Sequence, residues 1–386
     1  MKYSLLVAIA LFAASATAQT NNAIAGIDDR ARSLNEVSEP EGDADINANL
    51  ACQEQNTNYI PSLKAGQYST SAFHNCFRTI EQIYEFTETL AAQNPTLLTR
   101  FDISKTYLNN TIYGYKLSKG HSQSLYFQAQ QHAREWAAVS SVLFSLASIL
   151  DDIANNKPTA ADEYDLYFVP IVNVDCYVYT WWSTYRFLRK NYIGVDLNRN
   201  WPTPYVNPNP PPKINETYPG PHPFSEPETA GINNWLKTKR DEIQGFLDIH
   251  SHGGLILYPY SDNNQTIGGG FDEKFEVLGR GLQSAMGKYK PEPGYTLYLA
   301  YGTFVDYRHG LPSIFPIHLC LSWEKHALDF GFKAPTFQKL ILRVVEVVMP
   351  VFYAEFVKMP NMSELRAQGI VQRTPEKSDP PKMSPV

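Results

Sequence analysis

Apolar positions recur at helical spacing over residues 79–93 (TIEQIYEFTETLAAQ), with Thr79 placed to cap that helix and Gln82 to close a capping box. Short apolar or alternating runs follow at 112–117, 125–128, 166–174 and 245–249, each the length of a strand. Between them, 135–150 and 226–239 read as helices. Strand–helix alternation over almost 300 residues predicts a mixed α/β sheet with helices on both faces. Residues 202–212 hold six prolines in eleven positions, which no helix or central strand tolerates, so they form a surface loop. A long apolar helix is expected over 336–358, kinked or ended at Pro350, followed by a loose polar tail over 359–386.

The N-terminal end reads differently. Lys2 precedes an apolar stretch over 5–14 too short to span a bilayer, and Ala16-Thr17-Ala18 fits a small-x-small cleavage site, so residues 1–18 read as a secretory signal. No later apolar run reaches membrane-spanning length, and a soluble, secreted, extracellular product is expected. Residues 19–66 are polar and poor in aromatics, and read as a flexible N-terminal or pro segment. A net charge of −6 without a Lys/Arg cluster excludes a nucleic-acid footprint. Asn109, Asn215, Asn264 and Asn361 open glycosylation sequons. Four cysteines are few for 386 residues, so the fold rests on a large core. Cys52 and Cys76 are able to pair. Cys176 and Cys320 fit either buried thiols or a second bridge, and the sequence does not choose among the three connectivities.

The chemistry concentrates in Gln131-His132-Ala133-Arg134-Glu135-Trp136, which sets an imidazole and a carboxylate three residues apart. A catalytic zinc site takes three protein ligands and leaves one position open. His132 and Glu135 supply two, and His250 in Asp248-Ile249-His250-Ser251-His252 is the candidate third. Spacing alone decides little: chance yields about one His-x-x-acid pair from 9 His and 39 acids, and His326 with Asp329 forms another. Position says more, because the strands at 125–128 and 245–249 run straight into His132 and His250, and ligand sites gather at the carboxyl ends of such strands. Glu324 follows an apolar strand, a setting for a general base. Asn198 and Arg199 form a donor pair suited to a carboxylate.

Taken together these residues resemble the zinc carboxypeptidases of the A/B type over about residues 73–358. The motifs fall in the family's order: 132–136, 186–190, 194–201, Pro219-Gly220-Pro221, 224–229, His250-Ser251 with 257–260, 298–306, then Glu324. The resemblance implies a twisted, mixed sheet of the eight-stranded type flanked by helices, and one zinc ion on His132, Glu135 and His250. It also implies that Asp196 orients a ligand imidazole. Arg134 would line the substrate groove and Arg189 would polarise the scissile carbonyl. Asn198, Arg199 and Tyr298 would grip the terminal carboxylate, with Glu324 as general base for a zinc-activated water. Val305, with Ala300, falls where preference for the last side chain is set, and suits apolar or aromatic ends. Asp248 is a second candidate for that pocket. The expected activity is removal of one C-terminal residue from peptides or proteins by a monomer with no nucleic-acid or membrane partner. A zinc-loaded protein that captures peptide C-termini without turnover is the alternative.

Three departures from the family pattern stand out. Tyr192 replaces the third arginine of Arg186-Phe187-Leu188-Arg189-Lys190-Asn191-Tyr192 and Gly194 follows almost at once, so a loop is shortened. The run from Asp306 to Glu324 is long, and Lys325-His326-Ala327 follows Glu324 where the family writes Leu-Arg-Asp. Residues 19–66 lack the apolar content of a folded inhibitory pro-domain.

Overall fold

A computed structural model describes residues 39–251, 253–268, 271–286, 289–309 and 315–321. Seven helices and eight strands carry the fold there. They are α1 (Glu39–Gln55), α2 (Ile80–Gln93), β1 (Leu98–Lys105), β2 (Thr111–Leu117), β3 (Ser124–Ala129), α3 (Trp136–Ala154), β4 (Asp165–Val169) and α4 (Val174–Tyr179). After these come α5 (Pro227–Thr238), β5 (Ile243–Ser251), β6 (Leu255–Tyr258), α6 (Phe271–Met286), β7 (Lys290–Pro293), α7 (Phe304–His309) and β8 (Phe315–Leu321).

The strands make one sheet in the order β1-β2-β4-β3-β5-β8-β6-β7. Its centre is parallel, β4-β3-β5-β8, while β2 joins β4 and β6 joins β8 antiparallel. Every residue of β3 and β4 is buried, as expected where helices cover both faces. The mixed α/β architecture inferred from the sequence is the one observed.

Thr79 caps α2 and its backbone N–H donates to Gln82 Oε1 at 3.1 Å, closing the expected capping box. The helix α3 follows Glu135 directly and is buried over nearly its whole length. By length and composition it is apolar enough to cross a membrane, contrary to the expectation that no run after the leader reaches that size. Its burial inside the fold marks it as the core helix.

Two further expectations change. The apolar run 166–174 is not one strand: β4 ends at Val169, and Val174 opens α4. The polar stretch 19–66 is not wholly loose, because α1 occupies 39–55 and docks on the domain. Its buried face carries Ile46, Asn49 and Gln53. Gln53 Nε2 donates to the Phe77 carbonyl at 2.7 Å, and Phe77 N–H donates to Asn49 Oδ1 at 3.3 Å. A helix that binds its neighbour through amide side chains leaves no apolar stripe for the sequence to reveal. A Cys52–Cys76 disulfide fixes it further, and Cys176 is a buried thiol. The expected signal at 1–18, the helix at 336–358 and the tail at 359–386 lie outside the described residues.

Candidate metal centre

The two histidines come from adjacent parallel strands. Ala129, the last residue of β3, lies in register with Ile249, so His132, three residues past β3, and His250, one residue before the end of β5, stand at the same carboxyl end of the sheet. The chain leaves β3 through Gln130 in the left-handed region (φ 63°), a strained backbone held by Gln130 Nε2 donating to the Ala133 carbonyl at 2.6 Å. The turn that follows brings Glu135 to the start of α3, its N–H donating to the His132 carbonyl at 3.2 Å.

His132, Glu135 and His250 are all buried, and their ligand atoms lie within 4.8 Å of one another. His132 Nδ1 stands 2.7 Å from Glu135 Oε1, and His250 Nδ1 is 2.9 Å from Glu135 Oε2 and 3.0 Å from His132 Nδ1. Each ring's other nitrogen is already engaged. His132 Nε2 faces Asp196 Oδ1 at 3.1 Å, and His250 Nε2 faces Asp248 Oδ2 at 2.9 Å. A carboxylate on Nε2 fixes each tautomer and turns the Nδ1 lone pair inward, the arrangement metal-bound imidazoles need. The donor set, two imidazoles and one carboxylate, therefore fits a mononuclear zinc ion with an open position.

Electrostatics favour a cation there. Burial opposes ionisation of Glu135, but His132 and His250 beside it hold its carboxyl well below the usual range. Burial likewise opposes a charged His250, yet Asp248 and Glu135 push it up to about 10. Burial works against the Asp196 carboxylate too, while Arg189 and His132 keep it ionised. Carboxylates that attract a proton to a ring also attract a metal ion to it.

A cleft of about 230 Å³ opens beside the three ligands. Arg134, Arg189, Asn198, Arg199, Tyr298 and Val305, six of the positions expected at the substrate, all line this one cavity. Asn198 links the two ends: its Nδ2 lies 3.3 Å from His250 Nε2, and its carbonyl accepts Arg199 Nη1 at 2.7 Å. Arg199 Nη2 donates to the Tyr298 hydroxyl at 3.0 Å. Arg189 donates Nε and Nη2 to Asp196 Oδ2 at 3.0 and 2.7 Å, with Nη1 3.2 Å from His132 Nδ1. Arg134 pairs with Glu216 at 3.0 Å. Tyr192 stacks on Tyr107 at 5.6 Å between centroids. Glu324 lies outside the described residues.

Asp248 does not face the pocket, contrary to its expected place there. It is fully buried beneath His250, accepting Gln128 Nε2 at 3.0 Å on Oδ1 and Gln131 Nε2 at 2.7 Å on Oδ2. The D-x-H spacing carries that signal, since residues two apart on a strand share a face. Gln128 and Gln131 went unread; nothing in their pattern distinguishes them from surface amides. Asp306, next to Val305, is also turned away, its carboxylate accepting the N–H groups of Ser261 and Asp262 at 2.9–3.0 Å.

An α/β sheet that presents a two-histidine, one-glutamate centre at its strand ends, beside a guanidinium cleft, defines a zinc-site protein of the peptidase type. The chain belongs to the zinc carboxypeptidase family, whose sequence model matches residues 83–348. It is 28% identical over 280 residues to zinc carboxypeptidase A 1 of Drosophila melanogaster, covering 67% of this chain and 64% of that protein. Human carboxypeptidase A1 is 28% identical over 295 residues, covering 70% and 68%. Bovine carboxypeptidase B is 32% identical over 209 residues, covering 50% and 49%. The chain thus matches between half and about two thirds of the length of these relatives. Among solved structures, thrombin-activatable fibrinolysis inhibitor superposes with a TM-score of 0.68 at 22% identity, covering 80% of each chain. The carboxypeptidase A of Helicoverpa armigera gives 0.66 at 19%, covering 80% and 81%, so the fold is shared.

Proposed function

We propose that the chain is a secreted zinc metallocarboxypeptidase that removes one C-terminal residue, apolar or aromatic, from peptides and proteins. The observation that carries this reading is the convergence of His132, Glu135 and His250 within 4.8 Å, in the same cleft as Arg199 and Tyr298. A zinc ion bound there polarises a carbonyl and lowers the pKa of a water molecule.

The chain's own residues do the rest. His132, Glu135 and His250 hold the ion. Arg199 offers a planar fork to a terminal carboxylate, with the Asn198 amide and the Tyr298 hydroxyl as added donors, which makes the enzyme act at chain ends. Arg189 sits beside His132 and supplies a fixed positive charge toward the scissile carbonyl, the kind of donor whose loss costs about 10²–10³ in rate. Arg134 lines the groove. Glu324 takes the proton from water and returns it to the leaving amine.

Preference for apolar ends is supported by the lining around Val305, where Ala300, Leu255, Leu257 and Leu297 contribute apolar surface. Glu135 is the one acid among the described lining residues. Secretion is supported by the leader at 1–18 and by the Cys52–Cys76 bond, which persists in oxidising compartments.

A panel of N-blocked dipeptides differing only in the last residue, run with and without chelator, tests the reading. Release of phenylalanine or leucine that chelation abolishes is expected, with Glu324→Gln reducing the rate. Zinc-loaded protein that turns over no terminal residue is instead a binding protein for peptide ends.

A further inference from the structure

The polar N-terminal helix reaches the turn that carries His132 and Glu135 through one buried arginine. Arg186 is almost fully buried, and its guanidinium lies over the Trp136 ring at 3.6 Å from the centroid. Its Nη1 donates to the Arg134 carbonyl at 3.0 Å. Arg134 stands between His132 and Glu135, and Trp136 follows Glu135, so one guanidinium holds the turn on either side of Glu135. The anion that balances this buried charge is Asp45 of α1, which accepts Arg186 Nε.

Separate contacts hold α1 against that spot. A methyl group on Gly42 would meet the Ser183 carbonyl oxygen at 2.7 Å and Arg186 Cβ at 3.3 Å, so glycine permits the close approach. Further along, Ile46 is buried, Asn49 and Gln53 bind the Phe77 backbone, and Cys52 is bonded to Cys76. A buried guanidinium that loses its carboxylate must shift toward another partner or water, and Arg186 cannot shift without pulling on the Arg134 carbonyl.

We propose that α1 is a positioning strut of the metal centre: Asp45 fixes Arg186, Arg186 fixes the 132–136 turn, and the Cys52–Cys76 bond retains α1 when the chain is cut after the exposed Lys64. Proteolysis between α1 and the rest of the domain then leaves the strut attached. The proposal rests on the zinc reading above, and its test uses metal affinity, which registers whether or not any dipeptide is turned over.

The full chain and its Asp45→Asn and Asp45→Glu variants are titrated with zinc against a chromophoric chelator, and kcat and KM are measured at saturating zinc. Expected is zinc binding weakened severalfold, up to about tenfold, in Asp45→Asn, at or below the low end of the cost of losing a direct partner of a metal ligand, because Asp45 acts through Arg186. A fall in kcat larger than the change in KM should accompany it, with recovery in Asp45→Glu. Zinc affinity and kcat unchanged in Asp45→Asn overturn the proposal. Should Asp45→Asn fail to fold, the wild-type chain cleaved once after Lys64 replaces it. Affinity kept while the disulfide is intact, and lost once reduction and alkylation free α1, supports the strut; equal affinity in both states refutes it. Absent turnover with zinc affinity still dependent on Asp45 would sink the peptidase reading alone.

Discussion

Asp248→Asn isolates the charge beneath a metal ligand while keeping the side chain's size. Asp248 Oδ2 holds His250 Nε2 at 2.9 Å, and the ring places a metal at Nδ1 roughly 7 Å from that oxygen, using a metal–nitrogen distance of about 2 Å. At an effective dielectric of about 20, one carboxylate and a doubly charged ion at that separation attract by about 5 kcal/mol. This is a ceiling, because water and neighbouring dipoles relax when the charge is removed. Asparagine still offers one oxygen to His250 and Gln131 but turns its NH₂ toward the Gln128 donor, which adds a mismatch. The expected loss in zinc affinity is therefore 10–100-fold, about 1.4–2.7 kcal/mol. Competition against a chelator of known affinity measures it, with activity regained at high zinc. Affinity within twofold of wild type would refute the claim that Asp248 aligns and charges the ligand.

Other outcomes follow from single sites. Glu228 is fully buried with one carboxylate oxygen unpaired among the described residues; burial first, with Asp175 and Glu226 adding to it, pushes its carboxyl from 4.5 up to about 7. Because the folded value is raised, its stabilising effect is complete below about pH 4.5 and is lost as pH rises through 7. Glu228→Gln should thus stabilise by up to about 3 kcal/mol at pH 8, and by about 1 kcal/mol or less at pH 5, read by thermal unfolding at both. Val305→Asp should move the kcat/KM preference from phenylalanine toward lysine or arginine by at least about tenfold, and an unchanged dipeptide ranking would contradict the pocket assignment. Gly302 has φ 70°, and a Cβ there would meet the Arg199 carbonyl oxygen at 2.1 Å. Gly302→Ala should displace Arg199 and raise KM about tenfold or more while zinc affinity holds.

The candidate ligands are legible because two cues coincide, the His-x-x-Glu spacing and the strands that run into His132 and His250. Residues 125–128 and 245–249 are mostly apolar runs, broken only by Gln128 and Asp248, and β3 and β5 are adjacent and largely buried, which such runs imply. Less was readable where polar residues do the packing. The helix α1 buries Asn49 and Gln53, and its binding charge, Asp45, is one acid in a run of acids. The strand β1 carries little signal because four of its eight residues are exposed at the sheet edge, leaving no clean alternation. Likewise 166–174 reads as one apolar run because α4 is as buried as the strand before it. For Asp248 the D-x-H spacing gives only a shared strand face; its hydrogen bonds distinguish a support for His250 from a wall of the pocket.

The pairing of Ala129 with Ile249 reaches beyond architecture. Since backbone ladders between neighbouring strands decide where the imidazoles stand, the polypeptide builds the socket and the ion merely drops in. An ion so seated strengthens the native state only by mass action, about 2.7 kcal/mol at a hundredfold excess over its dissociation constant. Stripped protein would keep its shape, and activity would return on titrating the ion back without any refolding step.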